Sequence, residues 1–172
     1  MIRAYILSLL MVLVTTSEAK APAHSKKPLV EVGGKVNLFL SNATAVGLGA
    51  EVVVNPFRRL GLRYEFFDVR YQDPVVTVSL LSSTSSNLDA LIYLPMPGIE
   101  PYIHAGIGLS ASFGGGSSQW IYGFRCGMGL NYSLTKRSDF FAETGVLFND
   151  ATGVDAATAF RLSAGVRLGL MK

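Results

Sequence analysis

Charge is scarce in this chain. Of its 172 residues only 16% are Asp, Glu, Lys or Arg, while 49% are hydrophobic; an ordinary soluble domain carries about 25% charge. Mean hydropathy is +0.37. A net charge of +3 is small, and no aromatics interleave with the basic residues near the N-terminus, so a nucleic-acid surface is excluded. The single cysteine, Cys126, cannot close an internal disulfide, so nothing staples the fold. Long apolar runs are missing too: none reaches the roughly 20 residues of a spanning helix. Beyond the first 20 or so residues no segment has the 3.6-residue helical period.

The N-terminus has the layout of a secretory leader. Arg3 supplies the positive region, Ala4 to Val14 the apolar region, and Ser17-Glu18-Ala19 a small-x-small cleavage motif. This predicts a signal peptide over 1–19, cut after Ala19; a cut after Ala21 would place Pro22 just past the bond. No cysteine follows the leader, which argues against a lipid-anchored N-terminus. Residues 20–28, with Lys20, Lys26 and Lys27, read as a solvated tail, and 29–172 as one domain.

What the domain does have is alternation. In "PYIHAGIGLSASF" (101–113), Ile103, Ala105, Ile107, Leu109, Ala111 and Phe113 recur every second residue, opposite Tyr102, His104, Gly106, Gly108, Ser110 and Ser112. That is a strand with two unlike faces. The same pattern recurs over Val30–Leu40, Val46–Val54, Leu60–Phe67, Leu88–Leu94, Trp120–Tyr132, Phe140–Phe148 and Phe160–Leu170. Short breaks fall at Ser41–Ala43, Asn55–Arg59, Pro95–Gly98 and Thr135–Ser138. Tyr71–Pro74, Gly114–Gln119 and Asn149–Ala156 read as loops, and Val75–Asn87 fits either the outer part of a strand or a Ser/Thr-rich loop. The total is about eight strands of about ten residues, a length that crosses a bilayer when tilted.

The chemistry of the polar face decides which side is inside. It is built of glycine, serine, asparagine and single charges, whereas a water-facing surface has no reason to lack side chains. An eight-stranded barrel leaves an interior only just wide enough for side chains to fill, so glycines there make room for a few long ones. The inward charges are expected to be Glu31, Glu51, Glu65, Asp89 and Glu143 against Lys35, Arg63, Arg125, Arg161 and Arg167, balanced as a low-dielectric lumen requires. Phe39, Phe67, Tyr93, Tyr102 and Phe141 should fill the rest. The outward face is apolar, with Phe113, Trp120 and Phe148 beside the loops and Tyr64, Tyr132 and Phe140 beside the turns, as in an interfacial girdle. Unpaired strand edges are costly in lipid, so the first and last strands must meet and the strand number must be even. The predicted fold is all-β: a closed, antiparallel, up-and-down transmembrane β-barrel. Counting outward from Phe57 places Glu51 directly opposite Arg63.

"PYIHAGIG" resembles the PY-x-x-(A/G)-G-x-G strand of the small OmpA/OmpX/opacity-type outer-membrane barrels. Ser163, Gly165, Leu168 and Leu170 resemble the C-terminal signal read by the outer-membrane assembly machinery, although Leu170-Met171-Lys172 replaces the usual terminal aromatic. No peptidoglycan-binding domain follows, so a tethering role is not expected. The resemblance implies a monomer in the outer membrane of a Gram-negative bacterium, with the 20–28 tail periplasmic. Its expected partners are membrane lipid, lipopolysaccharide, the assembly machinery and a surface ligand at the loops. Two roles follow: a structural or surface-interaction protein (adhesion, envelope integrity), or a narrow pore for small solutes.

Enzymatic chemistry is not expected. His104 is the only barrel histidine, and it points inward at the turn end, where it reads as a hydrogen-bonding lumen residue. A triad like that of barrel lipid A deacylases must open onto lipid at the other end. One histidine and one outward cysteine make no metal site. Gly106-x-Gly108 and Gly127-x-Gly129 precede no helix, so they are not nucleotide fingerprints. No cofactor is expected.

Overall fold

The structure, a computed structural model, describes residues 27–40, 44–72, 75–80, 86–94, 96, 98–114, 117–151 and 154–171. The leader and most of the tail lie outside them. The described residues form nine strands: β1 (Val30–Leu40), β2 (Thr44–Phe57), β3 (Leu60–Gln72), β4 (Val75–Leu80), β5 (Ser86–Tyr93), β6 (Ile99–Gly114), β7 (Ser117–Ser133), β8 (Ser138–Ala151) and β9 (Val154–Met171). Each pairs antiparallel with its neighbours, and β1 pairs with both β2 and β9, so the sheet closes on itself. Both β4 and β5 lie along β3, opposite Phe67–Gln72 and Leu60–Glu65 respectively. They occupy one position in the wall, which gives a closed eight-stranded antiparallel barrel. Closure leaves no full-length edge to bind another sheet.

Period-2 alternation sorts the side chains as expected. Val36, Leu48, Leu62, Leu88, Ile103, Ile107, Met128, Leu130 and Leu168 are exposed on the outside, while Glu51, Arg63, Asp89, Arg125 and Arg167 are buried inside. Tyr132 and Phe140 share a rung beside the β7–β8 turn, and Phe148 stacks on Phe124 at 6.4 Å. The side chains of Phe113 and Trp120 lie outside the described set. Gly98, with φ of 83°, carries the left-handed residue of the β5–β6 turn, a conformation that costs other residues energy.

Two sequence expectations change, and one open reading is resolved. The stretches read as loops are mostly strand where described: Gln72 pairs with Val75, Gly114 with Ser117 and Ala151 with Val154. Polar residues on a strand beyond the apolar belt look like loop residues in composition. Val75–Leu80 is strand, and residues 81–85 lie outside the described set. Finally, a bulge in β3 shifts the pairing from Ala50↔Phe67 to Glu51↔Glu65. It reverses the phase of the strand: Phe67 shares an outward rung with Ala50, and Asp68, 8% exposed, takes the inward position. Phe67 is therefore not a lumen filler.

Candidate functional site

The lumen holds the molecule's polar chemistry. Every charge expected inside is buried there: Glu31, Lys35, Glu51, Arg63, Glu65, Asp89, Arg125, Glu143, Arg161 and Arg167. The middle of the lumen is one connected network. Arg63 donates from Nε to Asp89 at 2.7 Å and reaches Glu143 through Nη1 at 2.5 Å. Arg125 bonds Glu65 at 2.6 Å and grips Asp89 with Nε and Nη2. Arg161 spans Glu143 at 3.0 Å and Glu65 at 3.3 Å. Arg167 donates to Glu51 at 2.7 Å and to Asn131 at 3.0 Å.

Glycines make these contacts possible in a specific way. Gly106 lies on one rung between Asp89 and Arg125, Gly33 between Glu51 and Arg167, and Gly129 between Tyr102 and Glu143. In each case the two flanking side chains bond across the glycine, Tyr102 Oη donating to Glu143 at 3.0 Å. A Cβ at Gly33 would sit 3.1 Å from both Glu51 Cγ and Arg167 Cγ. The repeated glycine is therefore a bridge position, which lets strands two places apart exchange charge.

The Glu51–Arg63 expectation is corrected in register. The β2–β3 turn centres on Arg58-Arg59, since Phe57 pairs with Leu60, and a bulge lies between Val54 and Phe57. Val53 is opposite Arg63, and Glu51 is opposite Glu65. Two carboxylates on one rung repel, and Lys35 Nζ binds both, Glu51 at 2.9 Å. Glu51 still lies 3.7 Å from Arg63, but its close partners are Arg167 and Lys35. Glu31 is bonded by Asn55 at 3.1 Å.

Two further expectations are overturned. His104 is buried at 3% exposure, yet neither ring nitrogen has a hydrogen-bond partner. Its ring lies against Gly127 and Gly145, tilted to Tyr102 at 6.4 Å, where the glycine backbones offer space rather than acceptors. With no hydroxyl bonded to it, His104 lacks the nucleophile–base contact of a catalytic pair. Lys27, read as part of a solvated tail, instead enters the mouth beside the termini. Its side chain is 7% exposed, its Nζ lies 3.2 Å from the Tyr93 ring centroid, and it pairs with Glu100. Burial pushes its ammonium below the ordinary lysine value, against the pull of Glu100 and Glu31.

Asn37 and Asn131, on the polar face by their parity, join this lining, and sequence reasoning missed Asn55, Asp68, Glu100 and Asp139 in it. All but Glu100 are buried, and Asn131 donates to Glu100 at 3.1 Å. Asp139 shares the parity of Phe141 and Glu143, a signal that was present. Of the assembly-signal residues, Ser163 donates to Asn37 at 2.7 Å and Gly165 lies between Lys35 and Phe141. Leu168 and Leu170 are exposed outward. No group of three metal-ligating side chains occurs among the described residues.

A closed eight-stranded barrel, apolar outside and charged within, has the fold of the OmpA-like outer-membrane barrels. The chain is similar to the crystal structure of neisserial surface protein A, at 18% identity with a TM-score of 0.62, covering 82% of this chain and 96% of that one. It is also similar to the N-terminal β-barrel domain of Pseudomonas aeruginosa OprF, at 19% identity with a TM-score of 0.52, covering 83% of this chain and all of that one. No protein-family model matches the sequence, and no curated protein matches it.

Proposed function

We propose that the chain is an integral outer-membrane β-barrel protein with a structural or surface-interaction role and no catalysis. One observation carries this reading: the barrel is inverted relative to a water-soluble one. Its large aliphatic side chains are 40–65% exposed around the outside, as at Ile107 (65%) and Leu162 (40%), while arginines and glutamates are buried within. Such an apolar surface belongs in hydrocarbon, where a closed sheet satisfies every ladder. The likeness to a neisserial surface protein supports the same placement.

The lumen favours the structural role over a pore. Arg63, Arg125, Arg161 and Lys35 reach across to carboxylates on other strands, and Val53, Leu91, Tyr93 and Tyr102 cluster beneath them. The leader predicts export, the assembly machinery is the expected escort, and a surface ligand would meet the hairpins at the end away from the termini. The test is reconstitution. The mature chain should fold only with detergent or lipid, run differently on gels before and after boiling, and show no current steps in planar bilayers. A stable, soluble, detergent-free monomer would overturn the membrane reading, and steady ohmic steps would favour the narrow pore. A deletion strain scored for detergent sensitivity and surface binding then separates envelope integrity from adhesion.

A further inference from the structure

The turns at the end carrying the termini differ in chemistry from the rest of the surface. The β2–β3 turn is Phe57-Arg58-Arg59-Leu60, and the β7–β8 turn runs Leu134-Thr135-Lys136-Arg137-Ser138. Arg58, Arg59, Lys136 and Arg137 are all exposed, and neither turn contains an acid. None of the four side chains has an ion-pair partner among the described residues. Lys27, Lys35, Arg63, Arg125, Arg161 and Arg167 are each matched to a carboxylate, so among the described residues these four stand apart from the lumen cations.

The second turn is built to hold its cations out. Thr135 Oγ1 accepts from the Arg137 and Ser138 backbone N–H groups, both at 3.1 Å, and Leu134 N–H donates to Ser138 O at 2.9 Å. Arg137 O in turn accepts from Gly169 N–H of β9 at 2.7 Å. The peptide is fixed on both sides while Lys136 and Arg137 remain free. Large apolar side chains flank the cations: Phe57 is 68% exposed, Leu134 50%, Met96 54% and Leu170 63%. The two turns stand on separate parts of the ring, with the β5–β6 turn between them on one side and the β9 and β1 ends on the other. The β8–β9 hairpin at the opposite end instead carries Asp150 and Asp155.

We propose that this end is a docking face for the headgroups of an anionic phospholipid leaflet. The four guanidinium and ammonium groups meet phosphates, and Phe57, Met96, Leu134 and Leu170 enter the hydrocarbon beside them. The inference rests on the membrane placement above and adds to it a lipid preference and a side. Guanidinium groups suit phosphate because they offer paired donors, and cations near an anionic surface attract it over about a Debye length.

The test uses the folded protein in phosphatidylcholine vesicles doped with spin-labelled phosphatidylglycerol or phosphatidylcholine, reading the motionally restricted lipid fraction. Insertion is checked first by the heat-dependent gel shift. The expected result is a severalfold preference for phosphatidylglycerol that falls as salt rises from 10 mM to 1 M. It should vanish in Arg58→Gln/Arg59→Gln/Lys136→Gln/Arg137→Gln and survive Arg161→Gln, a lumen change. Failure to insert at all would sink the membrane placement. An inserted wild-type barrel that restricts both lipids equally overturns this inference and leaves the placement standing. So does a preference abolished by millimolar inorganic phosphate at constant ionic strength, which would mean a discrete anion site instead of a leaflet.

Discussion

The lumen is held together differently along its axis. Through the middle and toward the termini, buried charges bond across glycine positions, and Arg167 additionally lies 4.0 Å over the Phe141 ring centroid. Toward the far hairpins apolar side chains join the polar ones inside, with Phe39, Ala45 and Leu147 forming a buried cluster near the inward Asp68. One region depends chiefly on directional partners, and the other adds contact area to them. Charges held in low dielectric are costly as soon as a partner is lost, whereas an apolar cluster near an opening can relax or admit water. Rigidity should therefore be concentrated in the charged region.

The largest expected effect comes from Arg63. Replacing it with Met leaves Asp89 and Glu143 short of their shared cation and should lower stability by about 4 kcal/mol. The measurement is the unfolding midpoint in detergent or lipid, read from the heat-dependent gel shift or far-ultraviolet circular dichroism. In double-mutant cycles Glu51 should couple more strongly to Arg167, at 2.7 Å, than to Arg63, at 3.7 Å. Phe39→Ala, in the apolar cluster, should cost about 3 kcal/mol, the low end for a buried phenylalanine. Equal losses at Arg63 and Phe39 would erase the distinction between the two regions.

Glycine substitutions sharpen the comparison. A Cβ at Gly127 would stand 2.6 Å from Gly145 Cα and from His104 Nε2 and would crowd Thr144 O. Gly127→Ala should cost about 2 kcal/mol through overpacking. Gly34 faces outward with nothing within 4 Å of a Cβ, and Gly34→Ala should change stability by less than about 0.5 kcal/mol. Similar losses at both sites would mean that strand propensity, not lumen space, sets the cost.

These contrasts also show what the sequence could reveal. Strand number, closure, the inward charges and the purpose of the glycines followed from period-2 alternation and composition, because a one-residue slip would turn every side chain to the wrong face. What depended on a single inserted residue did not follow. Phe66-Phe67 are alike in hydropathy, so nothing in the pattern marks the phase change that sends Phe67 outward and Asp68 inward. The turn centred on Arg58-Arg59 instead of Phe57, together with the bulge between Val54 and Phe57, likewise moved Glu51 from Arg63 to Glu65. Which carboxylate bonds which base is a three-dimensional property: Asp89 and Arg125 are 36 residues apart and meet only because Gly106 stands between them. Lys27 was hidden for another reason, since a lysine in a basic, Pro-containing stretch has the composition of a solvated tail.

Lys27 supplies the smallest effect. Burial disfavours its ammonium more than Glu100 and Glu31 favour it, so its folded-state pKa lies below the ordinary 10.5. In the window between that lowered value and 10.5 the unfolded chain binds more protons than the folded one, so stability must rise with pH there. Below the window both states are protonated and the penalty is constant. Lys27→Met keeps the aliphatic stem over Tyr93 and removes the charge, while Glu100, 26% exposed and bonded by Asn131, keeps water and a partner and is not left as a buried, unpaired charge. Near neutral pH its stability should stay within about 1 kcal/mol of the parent, and the rise toward alkaline pH should be absent. The check is a pair of unfolding midpoints against pH from 7 to 10.5. A parent whose stability falls across that range while Lys27→Met stays flat would mean that Glu100 holds the charged form after all, and that the mouth is latched by the ion pair instead of by burial of the stem.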